Sequence, residues 1–129
     1  MSNKVKTTQY GGPDKQILIA EDSYKATLSA VATNTGISAD SNGKKILRAG
    51  TPVSGDLTAR NTAFVKATTT SGVSNANAII LHDVDVTAGA ENATIVVAGI
   101  VDLNKIDTTT QELITTEAKA ALSHIIFFK

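Results

Sequence analysis

The residues of this chain best suited to chemistry are two histidines and a pair of aspartates. His82, Asp83 and Asp85 lie within four positions of one another, and His124 stands near the end of the sequence. In an extended strand, Asp83 and Asp85 would share one face about 7 Å apart, a spacing that suggests a cation site. A hard cation needs several further oxygen ligands, which this stretch does not supply. We therefore expect no metal site and interpret the two carboxylates as a solvated or intersubunit polar face.

Motifs for nucleophilic or cofactor chemistry are also missing from the sequence. The chain has no Cys, which excludes thiolate nucleophiles and thiolate metal sites. The Gly-Thr-Pro at 50–52 lacks the Gly-Lys-Ser/Thr ending of a phosphate loop, and Ser-Gly-Asp at 54–56 lacks the glycine order of a nucleophile elbow. We expect no catalytic residues, no cofactor and no enzymatic activity. A small hydrolase that uses His82 or His124 is the remaining enzymatic hypothesis.

Composition narrows the possible partners. The chain has 129 residues and equal numbers of basic and acidic side chains, so its formal net charge is zero. A nucleic-acid-binding domain usually carries a basic excess, so we expect no nucleic acid partner. No run approaches the roughly 18 apolar residues of a membrane span, and the N-terminus lacks the apolar segment of a signal peptide. We expect no membrane partner and synthesis in a cytoplasm.

The pattern along the chain predicts one β-rich domain behind an N-terminal arm. Residues 1–14 are polar and hold Gly-Gly-Pro, so we interpret them as a flexible arm or a disordered terminus, with the domain over 15–129. A strand is predicted at 16–20, and residues 25–32 fit either a strand or a helix. Asn42-Gly43 between two extended runs predicts a hairpin with a type I′ turn.

The middle of the chain predicts a loop, a strand and another loop. Pro52 has no N–H to donate, which places it at a sheet edge or in a loop. A strand is expected within 57–67, with 63–66 as its best part. Residues 68–75 are rich in Thr, Ser, Gly and Asn, a composition typical of a loop.

The last third carries the clearest pattern. Two long apolar runs, 78–87 and 93–101, predict paired strands, and Gly99 suggests a bulge or a close backbone approach. The Ala-rich stretch 115–122 predicts a short helix capped by Thr115 or Thr116, after a possible helical turn within 108–114. Residues 125–128 predict a buried closing strand. The fold class is therefore α+β and mainly β, a compact single domain, either a small barrel or a sandwich, with a short C-terminal helix.

Four stretches resemble the head decoration proteins of tailed bacteriophages, and the likeness to the lambda type is one of plan. They span residues 43–53, 79–87, 93–103 and 116–128. The resemblance implies a protein of the virion that binds the outer surface of the mature capsid at threefold or quasi-threefold sites. It also implies that the protein cements neighbouring coat subunits. The expected partners are the major capsid protein and two further copies of the chain in a homotrimer.

The resemblance also implies an N-terminal arm that orders on the capsid by adding a strand to it. The candidate arm residues are Lys4, Val5, Lys6, Thr7, Thr8 and Tyr10. The candidate contact surface comprises Pro52, Asp83, Asp85 and Gly99. A head fibre base or another virion surface adaptor is the alternative hypothesis.

Overall fold

The computed structural model describes residues 17–19 and 25–129, which form strands and short helices in the following order. They are β1 (Leu18–Ile19), β2 (Ala26–Ala32), β3 (Ile46–Leu47), β4 (Pro52–Ser54), β5 (Val65–Lys66), β6 (Thr69–Thr70), β7 (Val73–Ser74), β8 (Ala78–Ile80), β9 (Val84–Asp85), β10 (Glu91–Asp102), a 3₁₀ turn (Leu103–Lys105), α1 (Thr108–Gln111), α2 (Thr116–Ala121) and β11 (Ile125–Phe128). The mainly β fold class with short helices is confirmed. The predicted arm at 1–14 lies outside the described residues.

The centre of the fold is β10, which is hydrogen-bonded to other strands along both edges. In its first half, Ile95 stands opposite Leu28 of β2 and also opposite Ile80 of β8, both antiparallel. In its second half, Ile100 stands opposite β1 on one side and Ile126 of β11 on the other, and the β11 pairing is parallel. A strand so placed favours β-branched residues, which pack well on pleated surfaces, and β10 is rich in Thr, Ile and Val.

The sheet curls until its two ends meet. From β10 it continues through β8 and β4 to β5, and the residue before β5, Phe64, forms a parallel bridge to Ala32 at the end of β2. The Phe64 N–H donates to the Val31 carbonyl at 2.7 Å, and the Thr33 N–H donates to the Phe64 carbonyl at 3.0 Å. Of the two predicted architectures, the structure therefore adopts the small barrel, closed by a single bridge.

The two faces of this sheet bury two separate apolar clusters. Ile80 and Ile95 belong to the barrel interior, whereas their neighbours Ile79 and Val96 belong to a second cluster, against which Ala121 of α2 packs. All four side chains are fully buried. This alternation confirms that the start of the 78–87 run is apolar because both of its faces are covered.

The predicted single strand at 78–87 is wrong, because the chain bends between β8 and β9. The Leu81 N–H still donates to the Thr94 carbonyl of β10 at 3.0 Å. Beyond it the backbone leaves the barrel, and β9 pairs with β3 in a separate antiparallel ribbon. The Asp83 carboxylate accepts the Ala49 N–H at 2.7 Å within this bend. A side-chain acceptor thus replaces the strand ladder at this point, which local alternation of residue types does not reveal.

The type I′ turn lies elsewhere than predicted. At Asn42-Gly43 only the glycine has a positive φ, and Asp40 pairs with Lys44 around a three-residue loop. The type I′ geometry is found between β6 and β7, where Ser71 and Gly72 have φ values of 52° and 78°. Residues 68–75, predicted to be a loop, therefore form a small hairpin, because a two-residue turn of this type matches strand twist.

The prediction that Pro52 lies at a sheet edge or in a loop is wrong. It opens β4, which pairs with β8 on one side and β5 on the other, and its carbonyl accepts the Ala67 N–H at 3.0 Å. The first position of a strand tolerates proline because the missing N–H interrupts little of the ladder.

The C-terminal helices are confirmed, but the closing strand is less buried than predicted. The Thr115 hydroxyl accepts the Ala118 N–H at 3.1 Å and caps α2. In β11, Ile125 is buried, whereas Ile126 and Phe128 are 53% and 43% exposed. One face of β11 packs on the core and the other faces outward.

Phe64 should be the side chain on which barrel closure depends most. It is fully buried among the interior residues. We expect Phe64→Ala to lower the free energy of unfolding by about 3–5 kcal/mol, because it removes packing and leaves a cavity. Urea denaturation followed by circular dichroism measures this. The control is Val73→Ala at a site that is 70% exposed, and an equal loss in both variants would contradict the role of Phe64.

Candidate functional site

The predicted contact residues Asp83 and Asp85 are both exposed: Asp83 lies in the bend before β9, and Asp85 lies in β9 itself, opposite Ile46 of β3. Asp83 accepts the Ala49 N–H and lies 3.3 Å from the Arg48 guanidinium. Both partners belong to the chain that leaves β3. Asp83 therefore fastens the bend before β9 to β3, and its carboxylate is occupied by contacts within the protein.

Asp85 is likewise engaged by its own surroundings. Its carboxylate accepts hydrogen bonds from the Thr87 hydroxyl and N–H, and the Lys44 ammonium lies 3.7 Å away. The Thr87 hydroxyl in turn accepts the Lys45 N–H at 2.8 Å. The hydrogen bonds from Thr87, assisted by the charge of Lys44, hold the pKa of the Asp85 carboxyl below its ordinary value.

The histidines do not complete a catalytic or metal-binding group in the described part of the chain. Among residues 17–19 and 25–129, no cluster of three or more His, Asp or Glu side chains is placed to hold a metal ion. The Nδ1 atom of His82 is buried and has no hydrogen-bond partner among these residues. His124 is exposed, and its carbonyl accepts the Gly99 N–H at 3.2 Å.

The four predicted contact residues do not form one surface. Pro52 and Gly99 are both buried, Pro52 within β4 and Gly99 within β10 beside β11. Neither offers side-chain surface to a partner in this conformation, whereas Asp83 and Asp85 do. The candidate arm residues Lys4, Val5, Lys6, Thr7, Thr8 and Tyr10 lie outside the described residues.

The structure reveals exposed apolar side chains that the sequence did not single out. Val73 is 70% exposed at the tip of the β6–β7 hairpin, and Ile126 and Phe128 project from β11. Leu57 is 38% exposed on the loop between β4 and β5. In a strand, successive side chains point to opposite faces, so the Ile-Ile-Phe-Phe run must place two apolar side chains on each face. Only the tertiary structure shows which of the two faces is covered.

Two shallow cavities lie on the outer side of β2 and the start of β10. One, of about 430 Å³, lies against the loop that carries Leu57 and Arg60. The other, of about 510 Å³, lies against the bend at His82 and Asp83. Both cavities share Ser29 and Asn92 in their linings, so they form adjoining parts of one depression in the surface.

No model of a known protein family matches this chain, and no curated protein matches it significantly in sequence. Within the described residues, no helix has the length and apolar character needed to cross a membrane.

Three exposed carboxylates should make the folded state less stable at acidic pH. Asp40 accepts N–H groups of Lys44 and Asn42, Asp56 accepts the hydroxyl and N–H of Thr58, and Asp85 accepts those of Thr87, as described above. These bonds lower the pKa of each carboxyl. A group whose folded pKa lies below its unfolded value stabilises the fold above the unfolded pKa, and that stabilisation is lost as pH falls through the folded pKa.

We therefore expect the urea midpoint to fall as pH drops below about 4. Replacing Asp40, Asp56 and Asp85 together by Asn should make this fall smaller, because the amide no longer titrates. The measurement compares urea unfolding at about pH 6 and about pH 2.5. Glu112→Gln, at an exposed position after α1, is the matched control. A triple variant that keeps the full pH dependence of the parent would refute this assignment.

Proposed function

We propose that this protein is a head decoration protein of a tailed bacteriophage. It binds the outside of the mature capsid at threefold or quasi-threefold sites and cements the major capsid protein. It acts without catalysis, as a trimer at least on the capsid, and it is made in the host cytoplasm. The resemblance of four sequence stretches suggests the family, and the structural observation that carries the proposal is the exposed edge of β11.

The outer edge of β11 offers backbone groups for strand pairing. The His124 carbonyl bonds to Gly99 of β10, and in a parallel ladder the bonded residues alternate. The N–H and carbonyl groups of Phe127 therefore point away from β10. No described strand pairs with that outer edge. It fits a strand added from a coat subunit or from a neighbouring copy.

The apolar side chains of β11 also favour binding of a partner at this edge. Solitary edge strands usually carry charges, prolines or bulges that discourage pairing. β11 reads Ile-Ile-Phe-Phe, with Ile126 and Phe128 exposed on one face. The zero net charge of the chain adds no long-range repulsion between copies or toward a large surface. A small domain with an apolar strand edge that no described strand covers suits a protein that works by binding.

Binding to expanded capsids that lack their decoration protein tests the function directly. We expect the purified protein to co-sediment with such shells and to fill nearly all threefold sites in image reconstructions. Absence of binding would remove the decoration function. Occupancy of only a few sites would favour the head fibre base or surface adaptor instead.

Deleting residues 1–14 should weaken capsid binding while leaving the fold intact, because the arm is proposed to add contacts only on the shell. Co-sedimentation gives the affinity, and circular dichroism checks the fold. Equal affinity of the deleted and full-length chains would exclude the arm from the mechanism.

Charged residues on β11 should disrupt binding at the proposed edge. We expect Ile126→Lys combined with Phe128→Lys to weaken capsid binding about tenfold or more, a loss of about 1.4 kcal/mol. Val73→Lys alters an exposed apolar residue outside β11 and serves as the control. Thermal unfolding confirms that each variant folds. Equal binding by the β11 variant and the control would show that this edge does not contact the capsid.

The trimer is tested by light scattering of the purified protein at several concentrations. A stable trimer mass would support a preformed threefold contact between copies. A monomer at every concentration would oppose a preformed trimer and would require the capsid to assemble the three copies.

A further inference from the structure

The loop between β4 and β5 is held firmly by its own hydrogen bonds. The Asp56 carboxylate accepts the Thr58 N–H at 2.8 Å, and two successive turns follow, from the Ala59 N–H to the Asp56 carbonyl and from the Thr62 N–H to the Ala59 carbonyl. At its root, Gly55 lies against the Phe64 ring so closely that an added Cβ would be 2.5 Å from it. The loop is therefore a fixed part of the surface.

Arg60, on this loop, is fixed over β2 by two contacts. Its carbonyl accepts the Val31 N–H at 3.2 Å, and its Nη1 donates to the Ser29 carbonyl at 2.7 Å. Among the described residues, no carboxylate lies within ion-pair distance of its guanidinium. A guanidinium has five N–H donors, so most of them remain for another acceptor.

The cavity of about 430 Å³ beside Arg60, here called the Arg60 cavity, has a lining of one charge sign. Among the described residues of the lining, Arg60 is the only ionisable side chain, and the rest are hydroxyls, the amides of Asn61 and Asn92, and small or aliphatic groups. Leu57, a large apolar residue that is 38% exposed, belongs to the same lining. The cavity thus combines a positioned cation, neutral hydrogen-bonding groups and an aliphatic surface.

We propose that the Arg60 cavity binds a carboxylate side chain of a partner protein, with an aliphatic neighbour of that side chain packed on Leu57. The guanidinium fork matches a carboxylate in two parallel hydrogen bonds, and none of the described lining residues is an acid that would oppose the incoming charge. Arg is one of the residues enriched at protein interfaces and at the positions that contribute most to binding. The identity of the partner as the coat subunit rests on the proposed function; the preference for a carboxylate does not.

A titration of the full chain with short peptides tests the chemistry alone. The probes are acetyl-Leu-Glu-Ala-amide and its counterpart with Gln, followed by ¹⁵N–¹H NMR. We expect the Glu peptide to shift the backbone amides of Val31, Arg60 and Asn92 and to bind about fivefold or more tightly than the Gln peptide. Equal binding of the two peptides would overturn the proposal.

Two variants locate the effect. Arg60→Gln should abolish the preference for the Glu peptide. Lys105→Gln, in the exposed turn beyond the far end of β10 from Asn92, should keep it. A preference that survives Arg60→Gln, or one lost equally in both variants, would overturn the assignment to this cavity. Inorganic phosphate is titrated in parallel, and tighter binding of phosphate than of the Glu peptide would also count against a protein carboxylate.

Capsid binding then tests the partner. On undecorated shells we expect Arg60→Glu to lower affinity at least about tenfold, while Lys105→Glu binds as the parent does. If the parent binds shells and the two variants bind equally, the coat subunit is not the partner. If the parent fails to bind shells but still prefers the Glu peptide, the result contradicts the proposed function and supports the carboxylate site.

Discussion

The structure depends on the pairing of β10 along both edges and on the burial of both its faces at Ile95 and Val96. Its first half carries β2 and β8, and its second half carries β1 and β11. Ile95 packs into the barrel while the adjacent Val96 packs into the cluster against which Ala121 of α2 packs. A one-residue slip of this strand would exchange the two faces and disturb both clusters at once, so its register fixes nearly everything around it.

The surface features follow from this arrangement. On one side, the sheet closes at Phe64, and the tight contact of Phe64 with Gly55 sets the position of the loop that carries Arg60. On the other side, the chain leaves β10, passes through α1 and α2, and returns as β11 in parallel to β10. The Arg60 cavity and the outer edge of β11 are thus separate surfaces positioned by one strand.

The aspartates show how a chemical pattern in a sequence can have a structural use. Asp83 and Asp85 suggested a ligand pair or a contact surface, yet each carboxylate is engaged by neighbouring backbone or side-chain donors. Asp40 and Asp56 behave in the same way in their turns. Short acidic side chains readily satisfy nearby N–H groups where the chain leaves a strand. Their spacing therefore reflects turn geometry in this protein.

The sequence by itself determined the fold class, the run that becomes β10, the capped helix α2 and the absence of thiol chemistry. These depend on residue type and short-range periodicity, which a linear reading captures. Only the tertiary structure decided that residues 78–87 bend, that Pro52 and Gly99 are buried, and that Arg60 borders a cavity. It also decided that, within the described part of the chain, β11 is paired along one edge alone. Such features depend on contacts between residues far apart in the chain, such as Ala32 with Phe64 and Ala49 with Asp83. The order of residue types within a short segment does not predict these contacts.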